Sequence, residues 1–387
     1  MAGLYIHIPF CESRCIYCGF YSTTLAEMKA QYVEAVCREM EMRSTVPGIG
    51  GKEGFENLET VYLGGGTPSQ LSPALLQRLF DCLSQHADLS SVREITMECN
   101  PDDLTDEYVE ALRQLPINRV SMGAQTFSDD RLRFLHRRHT ARQVTEAVER
   151  LRRIGIRNIS IDLMFGFPSE TLTDWEEDIR QALALQVEHI SAYSLMYEEG
   201  TALHRMLQQD KISETDEDTY LKMYETLIDR LTAADFEHYE ISNFARRTEK
   251  AGNFRSKHNS SYWNGTPYIG LGAAAHSYDI DSRWWNVSDV REYIHRISEG
   301  GDAVEEREVL DNGTRYDDMV MTALRTADGL RVDAVEERFG TAMKDHLMRN
   351  AQPHLKAGRL QLANGTLSLT RQGLFVSDSI MSDLMYV

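Results

Sequence analysis

The sequence predicts an α/β protein: a partial, open (β/α)6 barrel followed by a small winged-helix-like domain. Two observations carry that expectation. From residue 2 to about 200, short apolar runs alternate six times with longer amphipathic ones, as strands alternating with helices do. Six such units are too few to close an eight-stranded barrel. Near residue 312 the pattern changes to helical stretches that run into a hairpin.

The first strand is GLYIHIP, apolar and ending at a proline. The helical LAEMKAQYVEAVCREMEMR follows, rich in good helix formers. LETVYLGGGTP is a strand halted by three glycines, and SPALLQRLFDCLSQH is a helix opened by a Ser-Pro pair. VREITMECNP, INRVSMGAQT, IRNISIDLMFGFP and HISAYSLMY supply strands three to six. Between them DEYVEALRQL, ARQVTEAVERLRRIG and LTDWEEDIRQALAL have helical periodicity. Another helix, TDEDTYLKMYETLIDRLTAADF, precedes an irregular, aromatic stretch from His238 to Tyr278. The helical RYDDMVMTALRT, VDAVEERFG and MKDHLMRNAQPHLKAG then lead into RLQLANGTLSLTRQG, a hairpin turning at Asn364-Gly365. The expected division is a barrel domain over residues 1–305, including the aromatic stretch, and a second domain over residues 306–387.

With 41 basic against 60 acidic residues the net charge is −19. Such a chain repels phosphate backbones, so nucleic acid is not an expected partner. The densest basic stretch, Arg131 to His139, is short and flanked by acids; it suits a buried carboxylate ligand better than a duplex. Three of the six cysteines crowd near the start of the chain, behind an N-terminus that lacks the basic and apolar regions of a signal peptide. No apolar run is long enough to span a bilayer. The expectation is a cytoplasmic protein without direct membrane insertion, whose clustered cysteines bind metal.

Those cysteines, Cys11, Cys15 and Cys18, are spaced C-x3-C-x2-C on the loop after the first strand. Three thiolates hold three irons of a [4Fe–4S] cluster and leave one iron open to a small molecule. The alternative is a zinc site with a distant fourth ligand; no second paired knuckle supports it. Other unusual residues fall at the carboxyl ends of the strands, where a β/α barrel collects its ligand-binding groups. They are Gly64 to Pro68 after strand two, Glu98 on strand three, Gln125 at the end of strand four and Asp162 on strand five. Singly, the glycines make a tight turn and the polar residues pair with each other or with Arg137. Together, with the cluster, they suit a polar organic ligand.

YIHIPFCESRCIYC, GGGTPS, MECNP and GAQT resemble the radical S-adenosylmethionine superfamily in its HemN-like branch. The resemblance runs through roughly the first 280 residues, and the tail resembles that branch's C-terminal domain. It implies a barrel of the radical SAM type and a [4Fe–4S] cluster on Cys11, Cys15 and Cys18, with S-adenosylmethionine on the open iron. It places Tyr5 and Tyr17 beside the cluster or cofactor, and Gly65, Gly66 and Thr67 at the methionine end. Glu98, Gln125, Arg137, Asp162 and Met196 hold the rest.

Within the branch, the coproporphyrinogen III dehydrogenases carry a fourth cysteine where Phe20 stands, and an N-terminal arm this sequence lacks. HNSSYW, His258 to Trp263, fits the H-N-x-x-Y-W pattern of the HemW heme-chaperone family. A histidine among aromatics offers an imidazole to heme iron and flat faces to a porphyrin. The alternative is that His258 binds a loop while Tyr262 and Trp263 close the barrel; His276 is a competing heme ligand. The resemblance implies a heme chaperone that passes heme to an acceptor protein, respiratory in kind; separately, a redox-sensitive site near a surface leads to the expectation of a homodimer supported by the cluster. Whether the chain is also an enzyme stays open, with radical decarboxylation of coproporphyrinogen III, or another radical reaction on a tetrapyrrole, as the competing readings.

Overall fold

The computed structural model describes residues 2–44, 55, 57–248 and 254–386. Six parallel strands stand side by side in chain order: β1 (Ala2–Ile8), β2 (Leu58–Gly65), β3 (Glu94–Cys99), β4 (Arg119–Gln125), β5 (Asn158–Phe165) and β6 (His189–Ser194). The crossover helices are α1 (Lys29–Ser44), α2 (Pro73–His86), α3 (Asp106–Leu112), α4 (Asp129–Phe134), α5 (Ala141–Arg153) and α6 (Leu172–Ala184). The open (β/α)6 arrangement is the one the alternating pattern predicts.

The register decides what each strand face meets. Leu63, Met97, Val120 and Ile159 form one lateral row, and they are buried in the main core with residues from the helices. On α5 the buried residues are Val144, Ala147, Val148 and Leu151, the stripe that a 3.6-residue period brings to one face. Each fully buried Val or Leu among them contributes about 1.5–3 kcal/mol. The alternate residues face the other way and are polar: Thr96 pairs laterally with Arg119, Ser121 with Ser160, Ser160 with His189 and Asp162 with Ser191. The barrel therefore has an apolar outside under helices and a polar lumen.

After α7 (Ala202–Gln208) and α8 (Glu217–Ala233), the described part of the irregular aromatic stretch turns out to be ordered, while residues 249–253 lie outside the described residues. It forms β7 (Phe236–Glu240), β8 (Asn243–Arg246), α9 (Lys257–Trp263), β9 (Tyr268–Leu271) and β10 (His276–Tyr278). Strand β8 pairs antiparallel with β6, while β9 pairs parallel with β1 at the opposite edge. With β11 (Ser282–Asn286), α10 (Val290–Ser298) and β12 (Val304–Val309), the sheet reaches twelve strands in the order β12-β11-β10-β9-β1-β2-β3-β4-β5-β6-β8-β7. Strands of three to six residues bounded by glycine or polar turns leave no period to read, so the sequence showed no strands there.

The tail holds α11 (Asn312–Leu324), β13 (Leu330–Arg331), α12 (Val332–Phe339), α13 (Thr341–Lys356), β14 (Leu360–Ala363), β15 (Thr366–Leu369), α14 (Arg371–Leu374) and α15 (Ser377–Leu384). Its own hydrophobic cluster includes Tyr316, Val320, Leu347, Leu367 and Ile380. Asn364 and Gly365 both have positive φ, at 52° and 78°, which the primed turn between β14 and β15 requires. The division expected at residues 305–306 falls within β12, which pairs with β11. Among the described residues, no helix is long and apolar enough to cross a membrane.

Candidate functional site

The loop that carries the three cysteines leaves β1 at Pro9 and is tied at its base. Thr23 N donates to Pro9 O at 2.7 Å and Cys11 N to Thr23 O at 2.9 Å. Its middle is held by Ile16, 6% exposed and packed with Leu135, Met164, Phe167, Leu195 and Leu203. Backbone bonds from Ile16 N to Leu135 O (3.3 Å) and from Leu203 N to Ile16 O (2.9 Å) fix the same point. Anchored at base and centre, the loop turns Cys11, Cys15 and Cys18 toward one cavity of about 450 Å³ at the open end of the barrel. None of the six cysteines is in a disulfide.

The triple glycine makes room for this loop. A Cβ on Gly66 would lie 2.7 Å from the Pro9 carbonyl carbon, so the glycines first admit protein backbone and rings. Gly65, Gly66 and Thr67 also line the cavity, and Thr67 Oγ1 lies 3.4 Å from Cys11 Sγ. Opposite them, Glu98 accepts from Tyr62 Oη at 2.7 Å and from Gly65 N at 3.1 Å. Burial nonetheless raises its pKa to about 7, with Asp162 pushing the same way against those hydrogen bonds and Arg119. Burial also raises Asp162, which accepts from Ser121 Oγ at 3.4 Å.

His136, Arg137 and Arg138 of the basic stretch line the cavity, and Arg137 contacts a cysteine in it. Its guanidinium donates to Cys15 Sγ at 3.6 Å, to Asn100 Oδ1 at 2.8 Å and to Gly123 O at 2.7 Å. Its Nε has no hydrogen-bond partner among the described residues. Gly123 permits this approach, because a Cβ there would lie 2.8 Å from Gln125 Nε2 and 3.0 Å from Arg137. Gln125 itself has φ 65° at a bulge in β4, an unfavourable backbone retained at a ligand-facing edge. The rest of the stretch is neutralised locally: Arg131 by Glu170, Asp174 and Asp178, and Arg138 by Glu12, Asp102 and Asp103.

A guanidinium beside three converging thiols suits a group that concentrates negative charge and sulfur ligands, which a [4Fe–4S] cluster on thiolates does. Glu98, Asp162 and Gln125 beyond it suit the cationic and hydroxyl-bearing parts of a small organic cofactor. Tyr17 and Met196 line the same space, and Phe20 stands at its mouth, 74% exposed. Tyr5 does not reach it; its hydroxyl bonds His7 Nδ1 at 2.9 Å and its ring stacks on Tyr62, one layer behind the wall.

HNSSYW is helix α9. Glu94, buried at the start of β3, accepts from Lys257 N at 3.0 Å and His258 N at 2.9 Å, satisfying orphan amides of the helix start. His258 is 0% exposed, with Nδ1 2.8 Å from Thr60 Oγ1 and Nε2 2.8 Å from Tyr262 Oη. Its ring stacks on Tyr62, and burial lowers its pKa to about 3. Both imidazole nitrogens are thus engaged in fastening α9 to the barrel. Asn259, next along the helix, lines the cysteine cavity, whereas Tyr262 and Trp263 line a second cavity. His276 lies on β10, stacked on Trp285.

Sequence reasoning missed Asn259 and Arg119. Arg119 lines the cysteine cavity from the lumen, is 1% exposed, and its Nε has no hydrogen-bond partner among the described residues. In the sequence it begins an ordinary apolar strand, and only the inward phase of β4 puts it inside.

Residues 5–182 match the family model of the radical SAM superfamily, and residues 310–376 match that of the HemN C-terminal domain. Heme chaperone HemW of Bacillus subtilis is 35% identical over 382 residues, covering 98% of each chain. Heme chaperone HemW of Lactococcus lactis is 34% identical over 342 residues, 87% of this chain and 84% of that one. In structure the chain resembles the coproporphyrinogen III oxidase HemN of Escherichia coli, described as a radical SAM enzyme. The TM-score is 0.84 at 22% identity, over 100% of this chain and 90% of that one, a likeness of fold.

Proposed function

The chain belongs to the HemW family, in the HemN-like branch of the radical S-adenosylmethionine superfamily, and on that premise we propose that it is a heme chaperone. It binds heme and transfers it to an acceptor protein, respiratory in kind, while carrying a [4Fe–4S] cluster with exchangeable S-adenosylmethionine. One observation carries the reading: the likeness to heme chaperones runs the full length of both chains and takes in barrel and tail alike. Phe20 supports it, since an exposed phenylalanine stands where the decarboxylating relatives were expected to have a fourth thiol.

In this reading Cys11, Cys15 and Cys18 hold the cluster, which when bound supplies an open iron and a transferable electron. Arg137 balances thiolate charge at Cys15. Glu98, Gln125 and Asp162 orient the organic part of the cofactor, Gly65, Gly66 and Thr67 meet its methionine end, and Tyr17 and Met196 flank it. The protein works in the cytoplasm, a reducing compartment that keeps clustered cysteines available to metal. The cluster supports a homodimer; an elution volume on gel filtration that stays the same after cluster removal would refute that part.

The test of function is an anaerobic heme titration of the cluster-loaded protein, followed by its Soret absorption. Saturable binding is expected, with no protoporphyrinogen IX formed from coproporphyrinogen III under reductant and cofactor. Absence of saturable heme binding, together with turnover of coproporphyrinogen III, would replace the chaperone by a dehydrogenase.

A further inference from the structure

The second cavity lies between α9, the β9–β11 extension of the sheet, and the first helices of the tail. It encloses about 790 Å³, within the roughly 300–1,000 Å³ of a small-molecule site. Its walls include Tyr262, Trp263, Tyr268, Tyr278, Met319 and Phe339. Tyr262 and Tyr268 meet edge to face at 4.7 Å, giving rigid aromatic surface.

Charge sets this cavity apart from the rest of the molecule. Six cations line it, Arg255, Lys257, Arg283, Arg315, Arg331 and Arg338, against two acids, Asp318 and Asp328. The chain as a whole has 60 acidic and 41 basic residues, so the balance is inverted here. Some of these cations bridge the domains: Arg255 pairs with Asp328 at 2.9 Å and Arg283 with Asp318 at 3.6 Å. Arg315 pairs with Asp281 at 3.2 Å and Arg331 with Asp333 at 2.5 Å. Lys257 and Arg338 form no salt bridge among the described residues. Aromatic walls and two uncompensated cations together select a flat, largely apolar ligand with carboxylate arms.

We propose that this inter-domain cavity is the seat of a tetrapyrrole dicarboxylate, heme under the reading above, with its carboxylates on Lys257 and Arg338. The inference rests on that reading and adds the location and the contacts. Burial of the ring against Tyr262, Trp263 and Phe339 supplies the apolar drive. The cations fix orientation through charge-assisted hydrogen bonds. His258 is then a positioning residue, locked between Thr60 and Tyr262 behind the cavity wall. The same short helix offers Asn259 to the cysteine cavity, so the two ligands share α9 as a common wall.

The experiment uses the full chain loaded with its cluster, under anaerobic conditions, with heme as the probe. It compares wild type, the double variant Lys257→Glu/Arg338→Glu, and His258→Gln. Iron and sulfide content and thermal midpoint serve as folding controls, and the single variant Arg338→Gln replaces the double variant if that fails them. The double variant is expected to weaken heme binding about tenfold, and Arg338→Gln alone severalfold. Protoporphyrin IX dimethyl ester, which lacks both charges, is expected to bind wild type and double variant alike. His258→Gln is expected to leave the position of the Soret band unchanged. Heme binding to wild type that neither charge variant alters, or a Soret shift in His258→Gln, overturns the site and leaves the chaperone standing. No heme binding to wild type overturns both.

Discussion

Glu98 sits at the boundary between protein and cofactor space, and its proton reports on both. Burial holds its pKa near 7, above the ordinary carboxylate range. A carboxyl whose pKa is raised by folding contributes stability below its unfolded value, and that contribution is lost as the pH rises through the folded value. The cofactor-free protein should therefore lose stability between about pH 4.5 and 7 on account of Glu98. Glu170, also raised to about 7 by burial, acts in the same direction. Thermal midpoints measured across that window should fall less steeply in Glu98→Gln than in wild type. Affinity for S-adenosylmethionine, which is cationic, should rise through pH 7 in wild type and be flat in the variant; equal slopes would remove Glu98 from the cofactor site.

Among the elements, the cysteine loop depends on a small apolar cluster that lies apart from the main core. Ile16 is its plug, and truncation of a buried Ile to Ala typically costs about 2–5 kcal/mol. That loss falls on the satellite cluster formed by Ile16, Leu135, Met164, Phe167, Leu195 and Leu203. Ile16→Ala is thus expected to lower iron and sulfide content per chain after anaerobic reconstitution while leaving the cooperative unfolding of the barrel in place. Full cluster content in the variant would show that base contacts at Pro9 and Thr23 suffice. Helix α9 is the other decisive element. At seven residues it is too short to be stable alone, and it persists because Glu94, Thr60 and Tyr62 hold its first turn.

For the whole molecule, buried histidines set the response to acid. His7, His139 and His258 are buried, with pKa values lowered to about 4, 3 and 3. Each is neutral in the native state and gains a proton more readily when unfolded, so stability is retained above about pH 6.5 and lost as the pH falls toward 3. This acid limb opposes the slope from Glu98 and Glu170. Stability against pH should thus fall at the acid end, and His258→Gln should flatten the part between about pH 6.5 and 3. An acid limb identical to wild type would mean that His258 titrates normally. The two hydrophobic clusters of the barrel and tail are joined across the cavity by arginine–carboxylate pairs at its partly exposed edge. Such exposed pairs contribute about 0–1 kcal/mol each.

The order of strands and helices over the first 200 residues, and the hairpin at Asn364-Gly365, were legible because they depend on local period and turn chemistry. The C-x3-C-x2-C spacing was legible because one loop carries it, as was the rim of Gly65, Glu98, Gln125 and Asp162, because strand ends in a β/α barrel share one side. What the sequence could not disclose depends on which way a strand faces and which short pieces pair across long separations. Arg119 looks like any residue opening a strand until the lateral pairing with Thr96 turns it into the lumen. The aromatic stretch becomes five elements only because β6 and β1 offer open edges for β8 and β9. HNSSYW left His258 open between a heme ligand and a residue that binds a loop, and only tertiary packing shows both of its nitrogens engaged and its neighbours sent to two different cavities. Local chemistry is written in the order of residues; the faces, edges and cavities arise from contacts between residues far apart in the chain.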